Sequence, residues 1–398
     1  MFTGIKRIIG QNLRQIKNHL LSSIDYIRFC YHNYKYRFSR IQWNYVIFDH
    51  NLGGGATQFL NEKLDNDWEF RKQAILIRYL DQSRGYKVDI IQNRNVSSYM
   101  VPSYNRIKML LSKFNFSCIF VNELFEYENI YRWLALLEEL KEQKNCDLIY
   151  LLHDYYCICP VASLAVNSER FCNLDYDCGA CLKKVNYDLT TYGDIREWRK
   201  NWKNFLTQCT NIIAFSKDTK KRIQDVYGDI PVDIIPHTIY KELRKVKVKK
   251  NNTHILHVGI LGNLSKIKGV DIIKQMIEYV RLSELPIRFI LIGDVYGENI
   301  TESSKFCKTG KYSREELPQI LEKNKIDIVF VASVIPETFS YTTHEAVMMN
   351  IPIACFDLGA QAECVKEYDK GIIIPRIDYK VAVQSLLTYL EETNNVRL

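Results

Sequence analysis

Short apolar runs recur along this chain and are separated by stretches with the spacing of helices. Each run is long enough for one buried strand, and strands that alternate with helices indicate parallel sheets. The pattern is interrupted over residues 241–252, which are rich in lysine and asparagine. Two α/β domains joined by a linker are therefore predicted. The predicted strands are 45–48, 88–91, 118–122, 148–152, 211–216, 232–236, 254–259, 287–292, 326–332, 353–356 and 371–374.

The length of the chain agrees with this division, because 398 residues are enough for two domains with separate cores. The predicted fold class is α/β. We predict a basic amphipathic extension (1–42), a first Rossmann-like domain (43–240), the linker (241–252), a second Rossmann-like domain (253–380) and a C-terminal helix (381–398).

The first 40 residues differ from the rest in charge and in periodicity. They hold eight basic residues against one acid, whereas the whole chain carries a net charge of only +8. Their apolar residues recur every three or four positions, which predicts one stripe along a helix. This helix could lie on an anionic membrane, pack onto the rest of the chain, or bind nucleic acid. The partners predicted include the membrane surface and exclude nucleic acid. The stripe comprises Ile5, Ile9, Leu13, Ile16, Leu20, Ile24 and Ile27.

No apolar run is long enough to span a bilayer, and the N-terminus lacks the features of a signal peptide. We therefore expect a cytoplasmic protein, in peripheral contact with the inner face of the cell membrane.

Cysteines in such a protein are expected to be reduced or metal-bound. Four cysteines close in sequence could hold a structural zinc ion, or could be reduced thiols in a loop. These four are Cys159, Cys172, Cys178 and Cys181.

The most informative stretch is 336–346, between a predicted strand and a predicted helix. It holds two glutamates eight positions apart, Glu337 and Glu345. A carboxylate accepts hydrogen bonds in pairs and suits the hydroxyls of a ribose or a sugar ring. The N-terminus of the following helix offers N–H groups that suit phosphate. This joint therefore offers partners for every part of a nucleotide sugar.

Through these residues and several others, the chain resembles family 4 of the retaining glycosyltransferases. The two glutamates are followed by Ala346, by Pro352 and by the pair Gly359 and Glu363, as in the family. The subgroup that is most similar makes bacterial surface polysaccharides such as O-antigen or rhamnose-containing chains. The other matching segments are 53–55, 153–160, 262–269 and 310–317.

The resemblance implies a GT-B fold, in which two Rossmann-like domains with parallel sheets face each other across a cleft. The first domain would bind the acceptor and the second the nucleotide sugar, and the C-terminal helix 381–398 would pack back toward the first domain. It implies retaining transfer of a hexose or deoxyhexose from a nucleotide-diphosphate sugar to a glycan or a lipid-linked acceptor. The pathway implied is surface polysaccharide or lipopolysaccharide synthesis. No cofactor is required for catalysis in the family. The leaving phosphate takes the acceptor's proton, so no general base is assigned.

The resemblance also assigns roles to single residues. Glu345 would bind the ribose hydroxyls, Glu337 the transferred sugar, and Lys268 the diphosphate. His153 would hydrogen-bond the donor sugar, although a purely structural histidine is the alternative. The predicted catalytic residues are thus Glu337, His153 and Lys268. The other predicted donor-binding residues are Gly54, Gly55, Gly262, Lys266, Tyr312, Thr338, Phe339 and Ser340.

The chain departs from the family at one point. Many family members carry an arginine shortly before the lysine, whereas residues 260–263 of this chain are Ile, Leu, Gly and Asn. This departure leaves open a second hypothesis, a non-catalytic GT-B scaffold that binds sugars or nucleotides in a polysaccharide synthase complex. A third hypothesis is an epimerase that acts on a nucleotide sugar.

Overall fold

A computed structural model of the chain describes residues 2–166, 170–174, 177–185, 187–247 and 254–395. The packing of the chain divides it into two compact units. The first unit comprises Met1–Ile158, Asp188–Ala214 and Ile223–Tyr240. The second unit comprises Cys159–Tyr187, Phe215–Arg222 and Lys241–Leu398.

Two segments of the second unit were assigned to the first domain by the sequence analysis, 159–187 and 215–222. Side-chain contacts explain the difference. Ala165 is buried in an apolar cluster of the second unit. The amide of Lys217 donates to the carboxylate of Glu363 at 3.1 Å. Neither contact leaves a signal in the local sequence pattern.

The strands fall into two large sheets and one small ribbon. Their bounds are β1 Gln42–Asp49, β2 Gln73–Asp81, β3 Gly85–Gln92, β4 Asn95–Val101, β5 Asn115–Val121, β6 Asp147–Leu151, β7 Ala165–Val166, β8 Arg170–Phe171, β9 Asn211–Ala214, β10 Asp233–Ile234, β11 Leu256–Leu261, β12 Ile287–Ile292, β13 Phe306–Lys308, β14 Ile328–Val331, β15 Ile353–Phe356 and β16 Gly371–Ile374.

Helices connect most of these strands. Their bounds are α1 Phe2–Tyr36, α2 Gly54–Asn66, α3 Trp68–Lys72, α4 Tyr104–Lys113, α5 Ile130–Lys144, α6 Cys178–Lys184, α7 Leu189–Tyr192, α8 Ile195–Gln208, α9 Lys217–Tyr227, α10 Val270–Leu282, α11 Leu317–Lys323, α12 Tyr341–Met348, α13 Gly359–Lys366 and α14 Tyr379–Asn395. Within the described residues, no helix combines the length and the apolar character needed to cross a membrane.

The first sheet has the strand order β10-β9-β6-β5-β1-β2-β3-β4. Its strands are parallel except at β2–β3 and β3–β4, which pair antiparallel. The sequence analysis missed β2 and β4. Strand β4 is an edge strand whose first four residues are exposed, so it lacks the apolar run that marks a buried strand.

The second sheet has the order β13-β12-β11-β14-β15-β16, and all its pairs are parallel. Apolar side chains on both faces form its cores, as expected for a parallel sheet covered by helices. Helix α14 packs on α10 and β16 within this unit. Val246 of the predicted linker is buried here, and its amide donates to the carbonyl of Met349 at 2.8 Å. Residues 248–253 and 396–398 lie outside the described part.

Helix α1 packs along β4, but the face that packs is not the apolar stripe. The buried side chains of α1 include Ser22, Tyr26 and Phe29, and the ring of Phe29 meets that of Tyr99 on β4 edge to face. The stripe residues from Leu13 to Ile27 are between 55 and 67 % exposed. Packing of the stripe against the rest of this chain is therefore contradicted for these residues. The side chains of Ile5 and Ile9 lie outside the described part.

Candidate functional site

The order of strands in the second sheet reverses between β11 and β14. The chain passes from β11 through α10 to β12 on one side, and from β14 through α12 to β15 on the other. In open α/β sheets, ligands bind beyond the carboxyl ends of the strands at such a reversal. Most of the residues predicted to bind the donor lie here, because loop 262–269 follows β11 and loop 332–340 follows β14.

These two loops are in direct contact. The amide of Val334 donates to the carbonyl of Ile267 at 3.1 Å. Gly269 has a φ of +88°, and a Cβ at this position would clash with the carbonyl oxygen of Ala332. Only glycine therefore suits both the backbone conformation and the close approach of the loops. The position of Lys268, the preceding residue, is fixed as a result.

Lys268 and Glu337 meet where the loops touch. The Nζ of Lys268 lies 2.8 Å from Oε1 of Glu337, and the two side chains are 43 % and 10 % exposed. Burial raises the pKa of Glu337, but the charge of Lys268 and hydrogen bonds from Lys268, Ser333 and Ser340 outweigh it and hold the pKa below its ordinary value. Two of the three predicted catalytic residues thus form an ion pair whose ammonium group remains partly open to solvent.

A buried glutamine and a glycine position the backbone of Glu337. Gln361 is fully buried, and its side chain accepts from the amide of Glu337 at 3.0 Å and donates to the carbonyl of Ile335 at 2.9 Å. A Cβ on Gly359 would lie 2.6 Å from the amide nitrogen of Glu337. The motif pointed to Gly359. The sequence analysis missed Gln361, whose only signal is a polar residue between two alanines.

Thr338, Phe339 and Ser340 lead into α12, and all three are buried. Ser340 has a φ of 70°, and its Oγ lies 2.7 Å from Oγ1 of Thr343 in the first turn of the helix. The ring of His344 stacks on that of Phe339 with the centroids 4.0 Å apart. These contacts fix the start of α12, and amides at a helix start are groups that bind phosphate.

Glu345 is paired with a residue that the sequence analysis did not assign to the site. The Nε of Arg314 donates to Oε1 of Glu345 at 2.8 Å, and the two side chains are only 18 % and 9 % exposed. An Nη1 of Arg314 also donates to the carbonyl of Lys241 at 2.8 Å. Burial and the charge of Glu345 together raise the pKa of Tyr312 to about 12. The predicted ribose ligand is thus a buried carboxylate held by an arginine and next to Tyr312.

The other predicted residues of the second unit lie on the loop after β11. Gly262 has a φ of +89°, and a Cβ on the facing Gly293 would clash with the carbonyl oxygen of Gly262. The Nζ of Lys266 lies 3.9 Å from carboxylate oxygens of both Asp271 and Glu298. Lys266 therefore shares its charge between two acids, at distances that make each pair weak.

The first sheet has a comparable reversal between β1 and β5, and a buried polar network lies at its carboxyl edge. Asp49, at the end of β1, is fully buried and accepts from the side-chain amide of Asn122 at 2.8 Å. The Oδ1 of Asn122 lies 3.0 Å from Nε2 of His153. Burial lowers the pKa of His153 well below its ordinary value, and two neighbouring histidines add to the effect. His153 is therefore a neutral imidazole. The sequence analysis identified His153 as a candidate residue, but it identified neither Asn122 nor Asp49.

Two carboxyl groups belong to the same edge. Glu123 is 5 % exposed and follows β5, while Asp154 follows His153. Burial raises the pKa of Glu123 well above its ordinary value, and the nearby charge of Asp154 adds to the shift. Burial also raises the pKa of Asp154 to about 7. The raised pKa values favour the protonated form of this pair, which could then donate a hydrogen bond to a hydroxyl group.

Gly54 and Gly55 begin α2 and are exposed. Gly54 has a φ of +79°, and a Cβ at this position would meet no atom within 4 Å. The backbone conformation therefore requires glycine, whereas local packing does not. The space beside these glycines suits a ligand that approaches the backbone closely, which remains a prediction.

The structure does not show the predicted zinc site. Among the described residues, which include all four cysteines, no group of three or more His, Cys, Asp or Glu side chains is arranged to hold a metal ion. None of these four described cysteines forms a disulfide bond. Burial raises the pKa of Cys159 to about 12 and also raises that of Cys172, and the nearby thiols of Cys178 and Cys181 add to both shifts. A zinc site and reduced thiols therefore both remain predictions.

Comparisons with known proteins give the fold, and a family match over part of the chain. Residues 253–392 match the family model described as glycosyl transferases group 1. This match spans about a third of the chain. It covers the second sheet, and with it the loops that hold Lys268 and Glu337. A search of the curated proteins found no match.

Solved structures resemble the chain over most of its length. HepE from Anabaena, solved in complex with UDP-glucose, has a TM-score of 0.56 at 15 % identity, over 88 % of this chain and 90 % of that one. Sucrose-phosphate synthase from Thermosynechococcus elongatus has a TM-score of 0.57 at 11 % identity, over 88 % and 90 % of the two chains. At these identities the likeness shows the fold. The predicted α/β fold with two Rossmann-like domains of the GT-B type is confirmed.

Proposed function

We propose that this protein is a retaining glycosyltransferase that uses a nucleotide-diphosphate sugar. The observation that carries the proposal is the pair of Lys268 and Glu337 at the reversal of the second sheet, within the segment that matches the group 1 family. An ammonium group suits a diphosphate, and an ionised carboxylate suits sugar hydroxyls. The UDP-glucose bound to HepE, which has the same fold, supports a nucleotide sugar as the class of donor.

The proposed reaction breaks the bond between the anomeric carbon and a diphosphate oxygen, and forms one from that carbon to an acceptor oxygen. Lys268 and the amides at the start of α12 would stabilise the charge that develops on the leaving diphosphate. Glu337 would bind the sugar hydroxyls and favour positive charge on the ring. The leaving phosphate oxygen would take the acceptor's proton, so no residue of the protein is needed as a base. Because the acceptor attacks the face of the sugar ring that the phosphate leaves, the configuration at the anomeric carbon is retained.

Glu345 is proposed to bind the ribose hydroxyls, with Arg314 as its positioning residue. A carboxylate that must accept two hydroxyls at once benefits from a fixed orientation, and the 2.8 Å contact with Arg314 supplies one. Tyr312, whose hydroxyl stays protonated because of its raised pKa, would lie near the base. The sugar and the base of the donor remain to be identified by a binding screen.

A panel of nucleotide sugars should identify the donor. We expect one or two of them to raise the melting temperature of the protein, because a ligand that binds the folded state stabilises it. Turnover should persist in EDTA, since the proposed chemistry uses no metal. Binding of a nucleotide sugar without hydrolysis or transfer would instead favour the scaffold, a candidate supported by the absence of arginine from residues 260–263. Stabilisation by none of the panel would contradict both.

The acceptor is proposed to be a glycan or a lipid-linked saccharide, as in the synthesis of bacterial surface polysaccharides. The neutral His153 and the carboxyl pair of Glu123 and Asp154 lie at the carboxyl edge of the first sheet, where they could hydrogen-bond sugar hydroxyls. A lipid-linked acceptor stays in a bilayer, so an enzyme that uses one benefits from contact with the membrane surface. Helix α1 supports such contact.

The exposed stripe of α1 is proposed to lie on an anionic membrane. The opposite face is already used, since Ser22 donates to the carbonyl of Arg84 at 2.8 Å and Phe29 is buried. The segment that carries the stripe is rich in lysine and arginine, and each such residue near an anionic surface contributes about 1 kcal/mol. An apolar stripe flanked by basic residues is typical of helices that lie in the plane of the interface.

Replacing Ile24 and Ile27 with glutamate should release the protein from vesicles that contain anionic lipid. Both side chains are exposed, so the fold should be unaffected, while two charges would enter the stripe. Co-sedimentation with vesicles of phosphatidylglycerol and phosphatidylcholine measures the effect. Leu282→Glu is the matched control, because Leu282 is a 67 % exposed leucine of the second unit. Equal sedimentation of the double variant and the wild type would refute the membrane contact.

A further inference from the structure

A cavity of about 440 Å³ lies in the first unit, apart from the polar network around His153. Its walls come from the ends of β2 and β4, the start of α4 and the segment between β5 and α5. Strand β2 is parallel to β1, and β4 runs in the same direction because two antiparallel pairings separate it from β2. The cavity is therefore at the carboxyl edge of the first sheet, the edge where α/β proteins bind ligands.

The lining combines aromatic rings with planar polar groups. Tyr79 and Tyr86 lie with their ring centroids 5.3 Å apart, and Tyr86 is almost fully buried. The guanidinium of Arg132 lies over the ring of Tyr104 at 4.2 Å from its centroid. Rings of this kind present flat apolar faces of the size of a sugar ring, with a hydroxyl at the rim. The volume falls within the range of about 300–1,000 Å³ that is typical of small-molecule sites.

The polar groups suit hydroxyls better than they suit a charged ligand. The carboxylate of Glu128 accepts from the side-chain amide of Gln82 at 3.1 Å, and both residues are exposed at the mouth of the cavity. Arg132 brings one positive charge against this carboxylate, and the second carboxylate of the lining, that of Asp81, is paired with Arg84 at 2.5 Å. Burial, with the charge of Glu128, raises the pKa of Tyr79 to about 12, so its hydroxyl remains available as both donor and acceptor. Paired donors and acceptors with balanced charge are what a neutral polyol needs.

The floor of the cavity is rigid. Gly85 has a φ of +74°, and a Cβ there would clash with the carbonyl oxygen of Val101, so β3 and β4 approach each other more closely than any other residue permits. Asp81 closes the turn that precedes Gly85, because its Oδ1 accepts from the amides of Ser83 and Arg84 at 2.8 and 2.9 Å. The aromatic walls are thus held in place before any ligand binds, which lowers the entropic cost of binding.

We propose that this cavity binds one saccharide unit of the acceptor glycan, through its tyrosine rings, Glu128 and Arg132. That the saccharide belongs to an acceptor rests on the proposed glycosyltransferase function, whereas the binding of a saccharide in this cavity does not. A second cavity shares Tyr79, Asp81 and Gln82 with the first and is also lined by Gln15 of α1. A saccharide bound here would therefore lie beside the helix whose stripe faces the membrane, as a lipid-linked acceptor requires.

The test uses neutral saccharide probes and the full chain. The probes are the methyl glycosides of glucose, galactose, mannose, rhamnose and N-acetylglucosamine, with binding measured by saturation-transfer NMR and titration. We expect at least one to bind the wild type, and Glu128→Gln and Arg132→Gln each to weaken that binding by about tenfold, the loss of one charge-assisted hydrogen bond. Glu142→Gln is the matched control, since Glu142 is an exposed carboxylate on α5 that does not line the cavity.

Binding of the donor is titrated in the same variants by calorimetry. Unchanged donor affinity beside weakened saccharide affinity supports the proposal. Absence of binding by all five probes, or equal affinities in Glu128→Gln, Glu142→Gln and the wild type, overturns it. If the wild type binds a saccharide but no donor, the proposed transferase function is refuted and the proposed saccharide site is retained. The altered side chains are exposed, and thermal melting of each variant verifies that it is folded.

Discussion

Replacing Lys268 with methionine should reduce turnover of the donor by roughly a hundredfold or more. Preorganised groups that stabilise charge in a transition state typically contribute about 10²–10³ in kcat each, and Lys268 is the cation nearest to Glu337 in the site. Steady-state kinetics with the donor identified by the binding screen measures the effect. Because the lysine acts on charge that develops during bond cleavage, kcat should fall more than the affinity for the donor.

The same variant makes a prediction for pH dependence. Lys268 is the main cause that holds the pKa of Glu337 below its ordinary value, whereas burial alone would raise it. In the wild type, the stabilising effect of the ionised Glu337 is present above the ordinary carboxyl pKa and is lost as the pH falls through the lowered value. In Lys268→Met, the pKa of Glu337 should instead rise above the ordinary value. In the pH profile of the residual activity, the fall in activity at acid pH should therefore occur at a higher pH than in the wild type.

Lys366→Met is the matched control for this experiment. Lys366 pairs with Asp357 at 2.6 Å, and both side chains are about half exposed in the same unit. Exposed pairs contribute about 0–1 kcal/mol, so this variant should keep the wild-type rate and the wild-type fall in activity at acid pH. An equal loss of activity in Lys366→Met, or none in Lys268→Met, would remove Lys268 from the proposed site.

The strands that position the donor loops could be predicted because they are buried on both faces. Such strands are continuous apolar runs, as the predicted strand 353–356 illustrates, since it coincides with β15. Edge strand β4 could not be predicted, since its exposed half has no such run. The stripe of α1 could be predicted from periodicity, but not its direction. The opposite face of α1, which includes Ser22 and Phe29, packs on the sheet, and the sequence alone does not indicate which of the two faces is buried.

The residues of the proposed donor site could be found from the sequence where their motif is local, whereas contacts that depend on tertiary structure could not. Glu337 and Lys268 lie far apart in sequence, but each follows a strand, and parallel strands that neighbour each other bring their loops together. Gln361 and Arg314 could not be predicted as site residues. Their contacts form only when α13 and the segment before α11 pack against the loops, and the local sequence does not show this packing. The four cysteines mark a further limit, since their spacing suggested a metal site that the described residues do not show.

The pair of Arg314 and Glu345 allows stability to be separated from binding. Arg314→Met should destabilise the second unit by about 3 kcal/mol, because it leaves a carboxylate that is 9 % exposed without its partner. Glu345→Gln should weaken donor binding by about tenfold while costing less stability, since the amide can still accept from the arginine. In the double variant, most of the lost stability should return, because no buried charge remains without a partner, whereas donor binding should stay weak.

Chemical denaturation and donor titration of the four proteins measure both quantities, and the coupling free energy follows from the cycle. Arg244 and Glu322 supply the control cycle, since their 2.6 Å pair lies in the same unit but is 53 % and 27 % exposed. Its coupling should stay below about 1 kcal/mol. If Glu345→Gln leaves donor binding unchanged while Arg314→Met still destabilises the fold, the pair is structural only. The ribose must then be bound elsewhere, because a carboxylate that contacts its hydroxyls cannot be neutralised without loss of affinity.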